Sequence, residues 1–295
     1  MNPSHSRHLQ MRAMGLVGVL LLVLGQTLTL VHLRPVSEYW YGIVWTGFIL
    51  ASDAFLAWRT GASLILDRKR DFVAMVLLSA SAWWLFELAN VLLLDSWSYS
   101  PSPDVPRWVQ AVRSTYFFAT LVPATFEATL LALFVAKAKP AVIAQQPSPR
   151  RPLAALAMLA GAAFAGFALT YPIVSLPLVL VATGLIVDAL NSLRGRTSLL
   201  LHLRARAFAL PLAIAVGNIA AGVIGEMWNH PAAPKWTYRV PYADVMRLFE
   251  MPLPGYLGYA ALALDLFALY HLVRPKRSAE RLVPADHPLA VAGLG

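Results

Sequence analysis

Eight apolar stretches, each long enough to cross a lipid bilayer as a helix, divide the chain almost from end to end. Backbone groups in lipid must satisfy their own hydrogen bonds, so stretches of this kind predict helices rather than open strands. The sequence therefore predicts an all-α integral membrane protein with eight transmembrane helices. The stretches cover 13–33, 39–58, 72–94, 114–136, 153–171, 176–193, 207–225 and 255–273.

Composition agrees with this interpretation and argues against one common function. The chain has 295 residues, of which 58% are apolar and 13% are charged, whereas soluble domains carry about 25% charged residues. Its net charge of +9 would suit nucleic acid, but the basic residues lie in short loops between apolar stretches, as membrane topology predicts. We therefore expect no nucleic-acid partner.

Sequence motifs for metal ions and cofactors are missing. Cysteine is absent, which excludes thiolate metal sites, disulfides and cysteine nucleophiles. The histidines are scattered along the chain, and their spacing predicts no metal site. Neither a Gly-rich phosphate loop nor a Gly-x-Ser-x-Gly motif occurs. We expect no metal and no cofactor.

Lysine and arginine are unevenly shared between alternate loops. With eight spans, 18 of the 24 basic residues fall on one side and six on the other. Cytoplasmic loops of membrane proteins are enriched in these residues, so the bias predicts that both termini are cytoplasmic. We expect the membrane to be the bacterial inner, or cytoplasmic, membrane.

One motif of four residues occurs twice with identical spacing, Glu-x2-Asn-x6-Trp-x-Tyr. Such a recurrence indicates an internal duplication. Under the predicted topology, both Trp-x-Tyr loops lie on the outer side. The members are Glu87, Asn90, Trp97 and Tyr99 in the first half, and Glu226, Asn229, Trp236 and Tyr238 in the second.

A second repeated motif, Asp-Ala-x4-Arg-x3-Ser-Leu, extends the duplication toward the other side of the membrane. It comprises Asp53, Arg59, Ser63 and Leu64, and again Asp188, Arg194, Ser198 and Leu199. Glu127 follows Trp97 by 30 residues, and Asp265 follows Trp236 by 29. Because each half has an even number of spans, the halves would be parallel four-helix repeats related by a pseudo-twofold axis along the membrane normal.

These repeats define the predicted domain organisation. Residues 1–12 would be a cytoplasmic tail, 13–137 the first four-helix repeat, 138–152 a cytoplasmic linker, 153–273 the second repeat and 274–295 a flexible basic tail. The linker and the final segment are rich in Pro, Ala and basic residues, which is typical of unstructured connections. A shared cavity would most naturally lie between the two repeats.

Acidic residues inside the apolar stretches are the main candidates for function, because a carboxylate at bilayer depth costs several kcal/mol unless it is neutral, paired or hydrated. We predict that the acids of the first motif and the mid-span acids perform acid–base chemistry, with the asparagines orienting carboxyls. The competing interpretations are hydrogen bonds to the loop backbone and contacts between helices. The candidate catalytic residues are Glu87, Glu226, Asn90, Asn229, Glu127 and Asp265.

The aromatic residues of the loops are candidate substrate ligands, together with one acid of the second outer loop. Their alternative roles are interfacial aromatics and a solvent-facing carboxylate. We also predict a short amphipathic surface helix over 242–250, and we assign Asp53, Arg59, Asp188 and Arg194 to structural polar contacts. The candidate substrate-binding residues are Trp97, Tyr99, Trp236, Tyr238 and Glu250.

The sequence has a helix that ends in a polar turn, followed by Trp-x-Tyr, a loop with Pro and Glu, and a further helix. This order resembles the repeated membrane domain of the small lycopene cyclases of bacteria, archaea and fungi. The resemblance covers roughly 87–127 and 226–265. The segment most similar to the Pro-Leu-Glu-Glu motif of that family is Glu250-Met-Pro252-Leu253, in which the order is inverted. The resemblance implies an isoprenoid or carotenoid substrate.

Three functions remain open from the sequence. The first is a cofactor-free acid–base enzyme, a cyclase or isomerase, acting on a membrane-soluble isoprenoid or carotenoid lipid. The second is a proton- or cation-coupled carrier or channel that uses the same intramembrane acids. The third is a non-catalytic membrane assembly or scaffold protein in which the acids are structural.

Overall fold

The computed structural model describes residues 3–34, 36–100, 105–137, 151–171, 175–239, 245–274 and 287–294. Eight helical segments among them are long and apolar enough to cross a membrane. The predicted spans are therefore confirmed, and the chain is a polytopic membrane protein. The segments are His5–Leu30, Trp40–Thr60, Lys69–Leu94, Arg107–Val135, Arg151–Thr170, Leu176–Leu193, Ala209–Asn229 and Leu253–Val273.

The helices of these spans are joined by short elements. The long helices are α1 (Pro3–Leu30), α2 (Trp40–Thr60), α4 (Lys69–Ala89), α5 (Arg107–Phe118), α6 (Leu121–Val135), α7 (Arg151–Thr170), α8 (Ser175–Leu193), α10 (Ala209–Asn229) and α11 (Tyr256–Val273). The described residues also contain the short helices α3 (Leu64–Asp67), α9 (Leu199–Arg204) and α12 (Pro288–Val291). Four short strands are β1 (Trp97–Tyr99), β2 (Trp236–Tyr238), β3 (Arg247–Leu248) and β4 (Met251–Pro252).

Small residues allow close approach within the first helix pair of each half. A Cβ on Gly18 of α1 would lie 2.5 Å from the backbone nitrogen of Ala51 in α2. In the same way, a Cβ on Gly161 of α7 would lie 2.8 Å from the carbonyl oxygen of Ala182 in α8. Helices in lipid associate through such small-residue contacts, so α1 packs on α2 and α7 packs on α8.

Helix α6 occupies the centre of the bundle, where it contacts α2, α4, α10 and α11. Val122, Phe126, Leu130 and Leu133 of this helix are at most 2% exposed. The ring of Phe126 stacks on that of Phe267 in α11, with 5.5 Å between centroids. The hydrophobic core therefore joins helices from both halves of the chain.

The described residues 287–294, which follow α11 and include α12, form part of the core. Leu289 is 2% exposed, and Ala292 and Leu294 are fully buried. The Arg68 side chain donates to the carbonyl of Leu294 at 2.7 Å, and the Arg274 guanidinium donates to the carbonyl of Gly293. Of the predicted flexible tail 274–295, this part is packed, and 275–286 and 295 lie outside the described residues, as do 138–150 of the predicted linker.

The predicted amphipathic helix over 242–250 is wrong in its described part. Strands β3 and β4 pair as a hairpin, with Arg247 opposite Pro252, and Phe249 in the turn has a φ of 58°. A left-handed residue and the missing N–H groups of the following prolines oppose a continuing helix. The backbone bonds are made across the hairpin instead, including Leu253 N–H to the Met246 carbonyl at 2.8 Å.

Candidate functional site

The two Trp-x-Tyr segments, which the sequence places in separate loops, meet as an antiparallel strand pair. Trp97 lies opposite Tyr238, and Tyr99 lies opposite Trp236, so each motif position faces the other motif. Ser98 and Thr237 form the central pair, with 3.2 Å between their hydroxyl oxygens. The strands bring the ends of α4 and α10 to one end of the bundle, here named the β1–β2 end.

The motif asparagines hold these strands through equivalent bonds. The Asn90 side-chain amide donates to the carbonyl of Trp97 at 2.9 Å, and that of Asn229 donates to the carbonyl of Trp236 at 2.9 Å. The amide oxygens accept from the N–H groups of the same tryptophans at 3.3 and 3.0 Å. Both asparagines are buried. They position the loop backbone, as the structural interpretation of the motif expects.

Glu226 is fully buried near the end of α10. Its Oε1 atom accepts from the indole N–H of Trp236 at 3.0 Å and from the hydroxyl of Tyr259. Its Oε2 atom has no hydrogen-bond partner among the described residues. Tyr238 completes the cluster through its hydroxyl, 3.1 Å from that of Tyr259. One carboxyl oxygen of Glu226 is thus held by aromatic donors, and the other is buried without a described hydrogen bond.

The hydroxyl of Tyr238 stays protonated beside this carboxyl. Burial raises the pKa of Tyr238 well above its usual value, and Glu226 raises it further when its carboxyl is ionised. The group therefore serves as a hydrogen-bond donor at physiological pH.

Glu87 has a corresponding but more open environment. Its Oε1 atom accepts from the indole N–H groups of Trp83 at 3.0 Å and Trp97 at 3.1 Å, and from the Tyr99 hydroxyl. Glu87 is partly exposed, and Tyr99 is 51% exposed. Three aromatic donors therefore orient one carboxyl oxygen here too, but at the surface of the bundle.

A cavity of about 70 Å³ lies between α2, α6, α10 and α11, beside Glu226. Trp236 and Tyr259, the two donors to Glu226, form part of its wall. Most other lining groups are apolar, and Thr125 and Asn218 add polar atoms. The remaining aromatic walls come from α2, as Tyr41 and Trp45. The cavity is therefore built from helices of both halves, and two of its wall residues hold the Glu226 carboxyl.

The mid-span acids Glu127 and Asp265 are both fully buried. Within the described part of the chain, neither oxygen of either carboxyl has a hydrogen-bond partner. Asp265 packs against Gly184 of α8, where a Cβ would lie 3.7 Å from the Asp265 backbone. An unpaired carboxylate is very unfavourable in such surroundings. These groups are therefore expected to be protonated or to bind a cation.

Asp53 and Asp188 hold the starts of α3 and α9 at the opposite end of the bundle. Asp53 accepts from the hydroxyl of Ser63 and, at 2.6 Å, from the N–H of Leu64. Asp188 accepts from the hydroxyl of Ser198 at 2.9 Å and from the N–H of Leu199 at 2.7 Å. These bonds satisfy free N–H groups of the helix starts.

The two motif arginines lie at the surface, and Glu250 is partly buried in a loop. Arg59 is exposed and stacks over the Phe134 ring at 5.6 Å, and Arg194 is exposed at the end of α8. Glu250 accepts from Lys235 at 2.7 Å and contacts His230 at 3.0 Å. Its described partners are thus loop residues, whereas the partners of Glu226 are aromatic.

Several residues around the two motif acids are absent from the sequence-based prediction. Trp83 lies four residues before Glu87, so helical spacing alone indicates their contact. Tyr259, Tyr41 and Trp45 belong to no repeated motif, and only the packing of distant helices brings them to the cavity.

Among the described residues, no group of three or more His, Cys, Asp or Glu side chains is arranged to hold a metal ion. No family model, curated protein or solved structure matches the chain.

Proposed function

We propose that the chain is a membrane enzyme that moves a proton on a lipid-soluble isoprenoid or carotenoid, as a cyclase or isomerase, without a cofactor. The observation that carries the proposal is the state of Glu226. One of its oxygens is held by Trp236 and Tyr259, and the other has no partner in the described chain. An aromatic-walled cavity lies beside it.

Glu226 would act as acid and then as base. Its O–H bond breaks as a C–H bond forms at one alkene carbon, which leaves a carbocation on the neighbouring carbon and a carboxylate on the protein. The carboxylate then takes a proton from an adjacent carbon, and a C=C bond forms. The faces of Tyr41, Trp45 and Trp236 suit the positive charge, and the buried setting keeps water from the cation.

The size of the cavity limits how such a substrate binds. A cavity of about 150 Å³ holds benzene, and this one measures about 70 Å³. It therefore suits the branched end of an alkene chain better than a closed ring. The rest of the substrate would stay in the bilayer.

The test is a comparison of lipid and pigment extracts from cells with Glu226→Gln and with the unchanged chain. Glutamine keeps the shape of the side chain but cannot donate a carboxyl proton, so we expect the product to disappear while the protein remains in the membrane. Asp95→Asn is the matched control, because Asp95 is 72% exposed in a surface pair with Arg239. Unchanged conversion by Glu226→Gln would refute the enzyme. A changed yield of the variant protein, with unchanged lipid and pigment extracts, would favour a non-catalytic scaffold.

Glu127 and Asp265 favour a second candidate, a proton- or cation-coupled carrier or channel. Both are buried at mid-span without described partners, and such acids mark proton and ion routes in membrane proteins. Purified protein in proteoliposomes would take up protons or cations, and Glu127→Gln or Asp265→Asn would abolish the uptake. Retained uptake in both variants would exclude this candidate.

We further propose the finer arrangement of the fold: two parallel four-helix repeats related by a pseudo-twofold axis, with both termini cytoplasmic in the bacterial inner membrane. Reciprocal pairing of β1 with β2 supports it, because the Trp of each motif faces the Tyr of the other around the central pair of Ser98 and Thr237. The matching bonds of Asn90 and Asn229 support it as well. The charge bias of the loops supports the orientation.

A further inference from the structure

The two copies of the Glu–Asn motif differ at the position one helical turn before the glutamate. Four residues before Glu87 stands Trp83, and four residues before Glu226 stands Gly222. In the last spanning helix of each half, the aromatic residue belongs to the second copy instead of the first. Six residues before Glu127 stands Leu121, whereas six residues before Asp265 stands Tyr259.

In the first copy, Trp83 both donates to the carboxyl and fills the adjacent space. Its indole donates to Glu87 at 3.0 Å. Its ring packs against Phe86 at 5.7 Å, Trp97 at 6.0 Å and Phe118 at 6.1 Å between centroids. The donor belongs to the same helix as the acid, and the place next to it is occupied by aromatic rings.

In the second copy, the donor comes from the neighbouring helix instead. Tyr259 lies directly over Gly222, where a Cβ would lie 2.4 Å from its ring. Gly225 stands where the first copy has Phe86, and a Cβ there would lie 3.1 Å from the ring of Trp45. Both glycines line the cavity. The missing side chains thus let the Tyr259 and Trp45 rings pack directly against α10 at the cavity wall, where a tryptophan side chain at position 222 would collide with them.

We propose that the copies have diverged, so that only the Glu226 copy is a working site and Gly222 determines what enters it. The Glu87 copy, where Trp83 and its neighbouring rings fill the place next to the acid, holds the fold together. This inference rests on the proposed function for its chemistry, since the group admitted at Gly222 would be the small branched end of the lipid substrate. The exchange of Trp83 and Leu121 for Gly222 and Tyr259 is its structural basis.

The first part of the test measures the cavity itself, without any substrate. The chain has no cysteine, so Ala221→Cys places a single thiol on the cavity wall. The probe is methyl methanethiosulfonate, a small neutral thiol reagent. Adding Gly222→Trp together with Tyr259→Leu recreates the first-copy pair, and we expect labelling to slow about tenfold because the new ring fills the space.

Trp83→Gly is the matched change in the other copy, and we expect it to leave the labelling rate of Ala221→Cys unchanged. Equal labelling with and without the Gly222→Trp, Tyr259→Leu pair would overturn the inference, as would slowing by Trp83→Gly. Gly222→Ala is the conservative variant should the double variant not fold. A single methyl group forces Tyr259 to move, so it should also slow labelling.

The second part measures product in lipid extracts. We expect the Gly222→Trp, Tyr259→Leu variant to lose the product, and Trp83→Gly to keep it. The labelling rates could change as expected although the protein without these substitutions converts no lipid. That result would refute the proposed reaction but keep the assignment of the site. Conversion that survives the filled cavity would overturn the assignment of Gly222.

Discussion

At the scale of single residues, the motif positions have separate tasks. Glu87 and Glu226 accept from aromatic donors, whereas Asn90 and Asn229 bond the backbone of the strands. The equal spacing of the two motifs predicts that both copies are built alike. The structure shows that their asparagine contacts are alike and that the surroundings of their acids differ.

The asparagines offer the first prediction. Asn229→Ala removes bonds to the N–H and carbonyl of Trp236, and leaving buried backbone groups unpaired costs about 1–3 kcal/mol. We expect a similar loss for Asn90→Ala, because its bonds to Trp97 are equivalent. Thermal unfolding of the detergent-solubilised variants measures it. A loss confined to one of the two would show that the copies are not held in the same way.

A second prediction concerns Glu250. Burial acts to raise its pKa, but hydrogen bonds from Lys235 and His230 outweigh that effect and lower the pKa below its usual 4.5. Because the pKa is lowered in the folded protein, the contact stabilises the loop fully at pH values above the ordinary carboxyl pKa. This stabilisation is lost as the pH falls through the folded-state pKa.

The loop at β3 and β4 should therefore become more sensitive to proteolysis at acidic pH, while the helices remain intact. Limited proteolysis at a series of pH values, with an acid-tolerant protease, measures this. Glu250→Gln should be equally sensitive at every pH. A pH dependence that persists in that variant would assign the effect to another group.

At the scale of elements, the eight long helices could be predicted from the sequence because apolar length alone decides whether a segment spans a bilayer. The strand pair could not be predicted, since three-residue segments carry no periodic signal and pair only when the folded bundle brings the loops after α4 and α10 together. The hairpin at Arg247–Pro252 was missed because the charged and apolar residues before it mimic an amphipathic helix. Tyr259 was missed because it is not duplicated.

The segment 287–294 supports a prediction at this scale. The Arg274 guanidinium donates to the carbonyl of Gly293, and His271 contacts the carbonyl of Ala292 at 3.2 Å. Ala292→Cys should be protected from a membrane-impermeant maleimide in the folded protein. Adding Arg274→Gln should increase its labelling about tenfold, because the segment loses a charged hydrogen bond. Equal labelling of both proteins would show that this bond does not hold the segment in place.

At the scale of the whole molecule, the decisive question is whether the halves move against each other. The proposed enzyme needs a fixed carboxyl beside an apolar cavity, whereas a carrier built from repeats works by rocking one repeat against the other. The strand pair β1–β2 is a direct link between the halves, and Ser98 lies opposite Thr237 at its centre. A covalent bond at this pair would restrict such rocking.

Ser98→Cys with Thr237→Cys tests the difference, because directly opposed residues of an antiparallel pair lie about 4.5–5.5 Å apart at Cα, within the range of a disulfide. No native cysteine competes for the new bond. We expect oxidation to join the two halves, so that cleavage at a protease site inserted in 138–150 no longer separates them on a denaturing gel. An absent bond would contradict the strand pairing itself.

The oxidised protein then separates the two functions. Under the proposed function, lipid conversion should persist when the halves are joined, because Trp236 and Tyr259 already hold Glu226 and line the cavity. Transport in proteoliposomes should stop on oxidation and return on reduction, because the rocking of the repeats depends on movement at β1 and β2. The single-cysteine variants control for oxidation alone. Conversion that is lost when the halves are joined would mean that the site must open between them for each substrate molecule.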